Sequence, residues 1–202
     1  TITGTCSLSG STAPAFNGLT VTGTLTPAVG YRVNGNYIVE NSATVNAGSG
    51  TVTFGGTTAI TNNGTMNLNA VTISTGFSMT APSTTMGIAG NFTSTGTFIN
   101  GGGTILFNGT SNLTAAEVYN NITVTGTVTS TGNFSQTVAG DLINNGTFDI
   151  GTGNLTWSGS GTLSGSGNTT IFDLNVTGTS CTYTATGILT LRDDILGAGS
   201  FN

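Results

Sequence analysis

Seven carboxylates (Glu40, Glu117, Asp141, Asp149, Asp173, Asp193 and Asp194), two arginines (Arg32 and Arg192) and two thiols (Cys6 and Cys181) are the side chains on which chemistry in this 202-residue chain must rest, because it contains neither Lys nor His. Ser-His-Asp and Cys-His arrangements need an imidazole to take the nucleophile's proton, and amine nucleophiles or bases need a Lys, so residue type excludes both classes. Paired carboxylates working as in glycoside hydrolysis are the remaining option. Asp193 and Asp194 are adjacent, and neighbours on an extended strand point to opposite faces. Asp141 and Asp149 stand where Asn91 and Asn100 stand in an earlier stretch of similar text, which marks them as solvated corner residues. Two distant cysteines and no His offer no zinc-ligand spacing. The expectation is a non-enzyme with no catalytic residue, no cofactor and no metal. Cys6 and Cys181 allow one disulfide or two free thiols, and the sequence leaves both open.

A second kind of chemistry is modification. Asn-X-Ser/Thr occurs at Asn63, Asn91, Asn108, Asn112, Asn121, Asn133, Asn145, Asn154, Asn168 and Asn175, a few more than Asn-, Ser- and Thr-rich text produces by chance. These are candidate N-glycosylation sites if the chain is exported to a host compartment that glycosylates. The competing reading is that Asn-Gly-Thr and Asn-Leu-Thr are turn and strand text.

Charge limits the partners. The net charge is -5 and only 4% of residues are charged, against about 25% in an ordinary soluble domain. Two arginines cannot make the phosphate-neutralising track that nucleic acid requires, nor a patch for an anionic membrane. No apolar run approaches the roughly 18 to 20 residues that span a bilayer, and the text at Thr1 does not read as a signal segment, so the expectation for a secreted form is that its leader has already been removed. With 36% hydrophobic residues a real core can still be buried.

The elements that must position these residues read as short strands. Apolar residues alternate with Thr, Ser or Asn in Leu19 to Leu25, Thr51 to Phe54, Ile122 to Val128 and Leu174 to Val176, with Gly or Asn-Gly between. Period two, β-branched enrichment and turn punctuation together predict strands. Ala115 to Tyr119 is the one candidate turn of helix.

The stronger signal is a tandem repeat. Stretches beginning at Leu19, Val71, Ile122 and Leu174 are spaced by 52, 51 and 52 residues; Phe54, Phe107 and Trp157 by 53 and 50; Val45, Phe98, Phe148 and Phe201 by 53, 50 and 53. Three markers in step define a unit of about 52 residues. Apolar landmarks near thirds of the unit point to a rung of roughly 17 residues, hence an all-β parallel β-helix of about twelve rungs, about 55 Å long at the usual strand spacing and right-handed by the general rule for parallel crossovers. An antiparallel β-sandwich or jelly roll is the alternative, but it gives no reason for a 52-residue period. Asn62-Asn63, Asn120-Asn121 and Asn144-Asn145 are candidates for side-chain ladders at the corners, and Phe54, Phe107 and Trp157 for a stacked core ladder. The chain reads as one repetitive domain, 1–202, with a partial unit 1–18, units starting at 19, 71 and 122, and a partial unit 174–202.

The units, above all the text from Gly140 to Gly167 and the following Phe172-Asp-Leu-Asn-Val-Thr-Gly, resemble the Thr/Gly/Asn-rich β-strand repeats of prokaryotic surface proteins, adhesin passengers and surface-layer-like proteins among them, over residues 16–202. The resemblance implies an extracellular solenoid at a cell surface and supplies no catalytic residue. Its phase, with eighteen leading and 29 trailing residues that together approach one unit, leads to the expectation of a filament or surface-layer subunit that partners itself head to tail. An adhesin stalk or passenger that displays or binds surface glycans is the alternative. Neither reading involves nucleic acid or membrane insertion.

Overall fold

The structure, a computed structural model, describes all of residues 1–202 and contains strands, turns and no helix. The chain divides into two compact units, Thr1–Gly103 and Thr104–Asn202. Within each, consecutive strands fall in rotation onto three sheets, and every strand pair is parallel. This is a three-sided β-solenoid, and the antiparallel sandwich is excluded.

In the first unit, the first sheet stacks Thr5–Leu8, Thr24–Pro27, Thr44–Val45, Thr65–Leu68 and Thr85–Ile88; the second Ala15–Phe16, Tyr31–Val33, Thr51–Phe54, Ala70–Ile73 and Phe92–Ser94; the third Leu19–Val21, Tyr37–Val39, Thr58–Asn62, Ser78–Thr80 and Thr97–Ile99. In the second unit, the first sheet stacks Thr104–Phe107, Asn121–Val124, Leu142–Asn144, Ser160–Ser164, Ser180–Tyr183 and Ser200–Phe201; the second Thr110–Asn112, Thr127–Thr129, Thr147–Asp149, Asn168–Ile171 and Leu189–Leu191; the third Val118–Tyr119, Gln136–Val138, Leu155–Trp157, Leu174–Val176 and Ile195–Leu196. Ala115 to Glu117, expected as helix, is loop leading into the strand Val118–Tyr119. A coil needs only one residue there to face inward, and Tyr119 does so at 0% exposure.

Alternation sets the core. In Leu19–Val21, Tyr31–Val33 and Leu155–Trp157 the outer residues of each triplet are buried and the middle one is not. Inward residues then stack coil on coil, as in Val33, Phe54 and Ile73 of the first unit or Ile105, Ile122, Leu142 and Leu163 of the second. Each inward Leu, Ile or Phe removed from water contributes about 1.5–3 kcal/mol. Outward positions are mostly Thr, Ser and Asn, which hydrate a pleated surface without charge.

Coil length differs from the expectation. Register pairs advance by 17 residues from Ile105 to Ile122, by 20 from Leu25 to Val45 and by 23 from Tyr37 to Ile60. Coils of about 20 residues give five per unit and ten in all, where 17-residue rungs led to about twelve. The 52-residue period is therefore not a whole number of coils. Between Leu19–Val21 and Ala70–Ile73, and again between Asn121–Val124 and Leu174–Val176, the chain advances eight strands. Three sheets make nine strands the smallest count near that length that returns to the same sheet. Each repeat therefore lands one sheet away: from the third to the second in the first unit, and from the first to the third in the second. The marker residues Val21, Ile73, Val124 and Val176 are all fully buried, so the repeat preserves inward-outward phase and not the face.

Candidate functional site

The ten sequon asparagines divide by exposure. Asn63, Asn91, Asn133, Asn145 and Asn168 are exposed, whereas Asn108, Asn112, Asn121, Asn154 and Asn175 are half-buried. Five carry out a defined structural task in the second unit. The Oδ1 atoms of Asn112, Asn121, Asn133, Asn145 and Asn168 accept the backbone N–H of Thr131, Asp141, Thr152, Ser166 and Ile188, at 2.8–3.2 Å. Asp141 and Asp173 do the same for the N–H groups of Thr162 and Asp194. Each bond reaches 19 to 21 residues along the chain, one coil, so these side chains fasten a corner to the corner above it. The Asn ladders expected from stacked pairs are thus replaced by side-chain-to-backbone fasteners, since corner N–H groups outside the sheets need acceptors. Asp141 belongs to this set, and the reading of a solvated corner residue is refined accordingly. The fastening engages Oδ1 at Asn133, Asn145 and Asn168 and leaves Nδ2, the atom a glycan would take.

The Asn-Asn pairs are not equivalent partners. Asn62 and Asn144 point into the core, whereas Asn63 and Asn145 are exposed. Asn144 Nδ2 donates to the Asn168 carbonyl at 2.8 Å and to Thr169 Oγ1 at 2.9 Å, and its Oδ1 accepts the Gly146 N–H at 3.0 Å. Asn62 donates to the Thr85 carbonyl and accepts from Gly64. Gln136, fully buried, ties the loop before Tyr119 to the next coil: Nε2 donates to the carbonyls of Ala115 and Phe134, and Oε1 accepts the Glu117 N–H. Burying an amide this way is tolerable because every donor and acceptor is met.

Cys6 and Cys181 are both free. Cys6 is half-buried in the first coil, and Cys181 is buried, with its thiol pKa pushed up from 9.0 to about 11 by burial, a hydrogen bond with the Leu163 backbone opposing the shift. Phe54, Phe107 and Trp157 are fully buried as core residues, but they lie in different sheets: Phe54 packs between Val33 and Ile73, Phe107 beside Val124, and Trp157 between Val138 and Val176. They do not form one ladder, for the eight-strand reason above. Among the carboxylates, Asp149 accepts from the Gly151 N–H and lies 3.9 Å from Arg192, an exposed pair contributing little to stability. Asp193 and Asp194 are exposed in the last coil, and no three acidic or sulfur side chains converge as metal ligands.

No protein-family model, no curated protein and no solved structure matches the chain.

The coil edges are the remaining candidates, and inspection of composition alone did not single out their residues. Thr5–Leu8 and Ala15–Phe16 each end a sheet of the first unit; Leu189–Leu191, Ile195–Leu196 and Ser200–Phe201 each end a sheet of the second. At the latter edge the inward residue Ile195, which pairs with the fully buried Leu174, is 48% exposed. Leu196, in register with the outward Asn175, is 45% exposed, and Ile188, in the preceding turn beside the exposed Asn168, 65%. Leu189, Leu191 and Phe201 are half-buried beneath the same open face. Unpaired N–H and C=O groups beside uncovered apolar side chains form a surface onto which a further parallel strand can pair. The available sequence signal was the recurrence of Asn133, Asn154, Asp173 and Asp194 at coil spacing, which sets the coil near 20 residues and locates the last one.

Proposed function

We propose that the chain is a structural, non-catalytic component of an extracellular assembly at a cell surface, and that it associates with further copies of itself by adding parallel coils edge to edge. The supporting observation is the parallel, in-register pairing that joins coil to coil through continuous inward apolar columns, a pattern that a further coil extends without a change of geometry. The edge formed by Thr5–Leu8 and Ala15–Phe16 presents Cys6, Leu8 and Phe16 half-covered and offers the complementary parallel partner. The first coil carries no charged side chain, so the exposed Arg192, Asp193 and Asp194 of the last coil would meet no like charge across such a junction. A cystine is not part of this junction: Cys181 pairs with Phe201, so a Cys6 stacked beyond Phe201 would lie two strand spacings, about 9.6 Å, from Cys181, farther than a disulfide spans.

Sedimentation velocity and negative-stain microscopy over a wide concentration range test the reading. Linear, concentration-dependent polymers are expected for the chain as it stands, and Ile195→Lys, which places a charge in the centre of the junction, should hold it as single particles while leaving its β-type circular dichroism unchanged. Single particles at every concentration, or polymers that persist in the Lys variant, would overturn edge stacking and favour a stalk that displays a binding element.

A further inference from the structure

Arg32 is the only cation side chain of the first unit, and the structure holds its head in place without neutralising it. Its position is outward on Tyr31–Val33, in a column with Ala15 and Thr53. From there Nε donates to Asn34 Oδ1 at 2.8 Å and Nη2 to the Gly55 carbonyl at 3.0 Å, while Cζ lies 5.8 Å from the ring centre of Phe77. Gly55 is what lets the guanidinium lie there, because a Cβ on that residue would collide with Arg32 Cζ, Nη2 and Nε. No carboxylate of the chain pairs with Arg32; the sole ion pair is Arg192 with Asp149. A guanidinium has five N–H donors, and two are used, leaving three on Nη1 and Nη2 without a protein acceptor.

In a chain carrying five more acids than bases, Arg32 is left with no carboxylate partner. Both of its hydrogen bonds go to neutral acceptors, which orient the head and preserve its charge. The surroundings are shaped for more than an ion. Arg32 borders an open pocket of about 370 Å³ with Ala15, Tyr31, Thr51 and Thr53, and Phe77, 37% exposed, lies against the guanidinium outside the pocket lining. We infer that this flank binds an acidic saccharide, with the uronate carboxylate accepting from the free Nη1 and Nη2 donors, its own ring in the pocket beside the Thr51 and Thr53 hydroxyls, and a neighbouring sugar of a longer chain reaching Phe77 outside the pocket. A fork of parallel N–H donors matches a carboxylate in both geometry and charge, and the apolar face of a pyranose suits an aromatic ring. The inference is independent of edge stacking, because the residues lie on the outward face of the second sheet and the adjoining corner.

The test is titration of the full chain with glucuronate and with a uronate oligosaccharide, followed by heteronuclear NMR and calorimetry, with glucose and acetate as separate arms. Glucuronate should shift Arg32 Nε–H, the oligosaccharide should also shift the ring signals of Phe77 and bind more tightly, and added salt should weaken both. Arg32→Gln should weaken binding about tenfold or more, the loss expected for a charge-assisted pair. Gly55→Ala, which keeps the Arg but displaces its head, should weaken it as well, and Phe77→Ala should weaken the oligosaccharide. Circular dichroism of each variant establishes that it is folded. Acetate binding as well as glucuronate would show an adventitious anion contact, glucose binding as well would show that the charge is irrelevant, and unshifted Arg32 and Phe77 signals would place any binding elsewhere; each overturns the inference.

Discussion

Asn144→Ala and Asn145→Ala replace neighbouring, chemically identical side chains, yet they should differ severalfold in cost. Asn144 is 1% exposed and makes three hydrogen bonds, two from Nδ2 and one to Oδ1. At about 0.5–1.5 kcal/mol net per bond, with extra cost where a buried partner loses its only mate, the truncation should cost about 2–4 kcal/mol. Asn145 is exposed and makes one bond, 3.2 Å long, with the Ser166 N–H, so its loss should cost less than about 1 kcal/mol. Asn144→Asp should cost at least as much as the Ala variant, because it sets an acceptor oxygen against the Asn168 carbonyl. Urea unfolding measures the totals, and amide exchange places them: in Asn144→Ala protection should fall first at Gly146 and Gly167, whose N–H groups bond to Asn144 Oδ1 and to the Asn144 carbonyl. Equal costs for the two variants, or a larger cost at Asn145, would refute the claim that one Asn of the pair is core and the other surface.

Two further outcomes follow from the corners and the core. Gly109, Gly126, Gly146, Gly167 and Gly187 form a column in the second unit in which a Cβ on each of the last four would strike the carbonyl oxygen of the glycine one coil before. Gly126→Ala should therefore cost about 1–3 kcal/mol by overpacking, whereas Gly76→Ala, at φ +81 with open space around it, should cost about 1–2 kcal/mol through backbone strain alone; urea midpoints and a shift of neighbouring amide signals confined to Gly126→Ala check this. Alkaline pH should destabilise the chain through Cys181. Between 9.0 and about 11 the unfolded thiol has released its proton and the buried one still holds it, so stability is fully present below pH 9 and declines as pH rises through that window. Burial of Tyr31, Tyr37 and Tyr119 raises their phenols in the same sense at higher pH. Cys181→Ala should flatten the decline between pH 9 and 11 in thermal melts, and iodoacetamide should label Cys6 well before Cys181; an unchanged slope would refute the assignment.

Strand phase was legible in the sequence because it depends on nearest neighbours: Leu-Thr-Val and Ile-Thr-Val must put their apolar ends on one side, and Val21 and Val124 are buried as that pattern requires. The parallel stack was legible because only stacking explains a long period. Coil length was not, because a triangular coil closes through corners whose lengths vary, and the apolar landmarks mark every strand without saying which three complete a turn. The corner fasteners were only half legible. Asn and Gly were expected as turn punctuation, yet Asn121 and Gly126 are there for reasons that involve the neighbouring coil, a carbonyl for the Asp141 N–H and the absence of a Cβ against Gly109. Such reasons act across about 20 residues and are invisible to any local window. Arg32 was read only as a missing basic track, since nothing local shows that a guanidinium will lie over Gly55 two dozen residues on.

The eight-strand repeat also bears on where function can be written. A nine-strand unit would return each motif to the same sheet and let duplication build a specialised face. With eight, the motif at Leu19–Val21 reappears in a different sheet of its unit at Ala70–Ile73, so what duplication propagates is the inward apolar and outward Thr pattern common to all three sides. A face can then acquire a distinct property only through residues that depart from the repeat. Arg32 is such a departure: sixteen and 24 strands further on, the middle, outward place of the strand belongs to Thr137 and Thr190. Within the first unit the uniform text builds the solenoid and its edges, and the single unpaired cation on its flank is the place where the chain stops repeating itself.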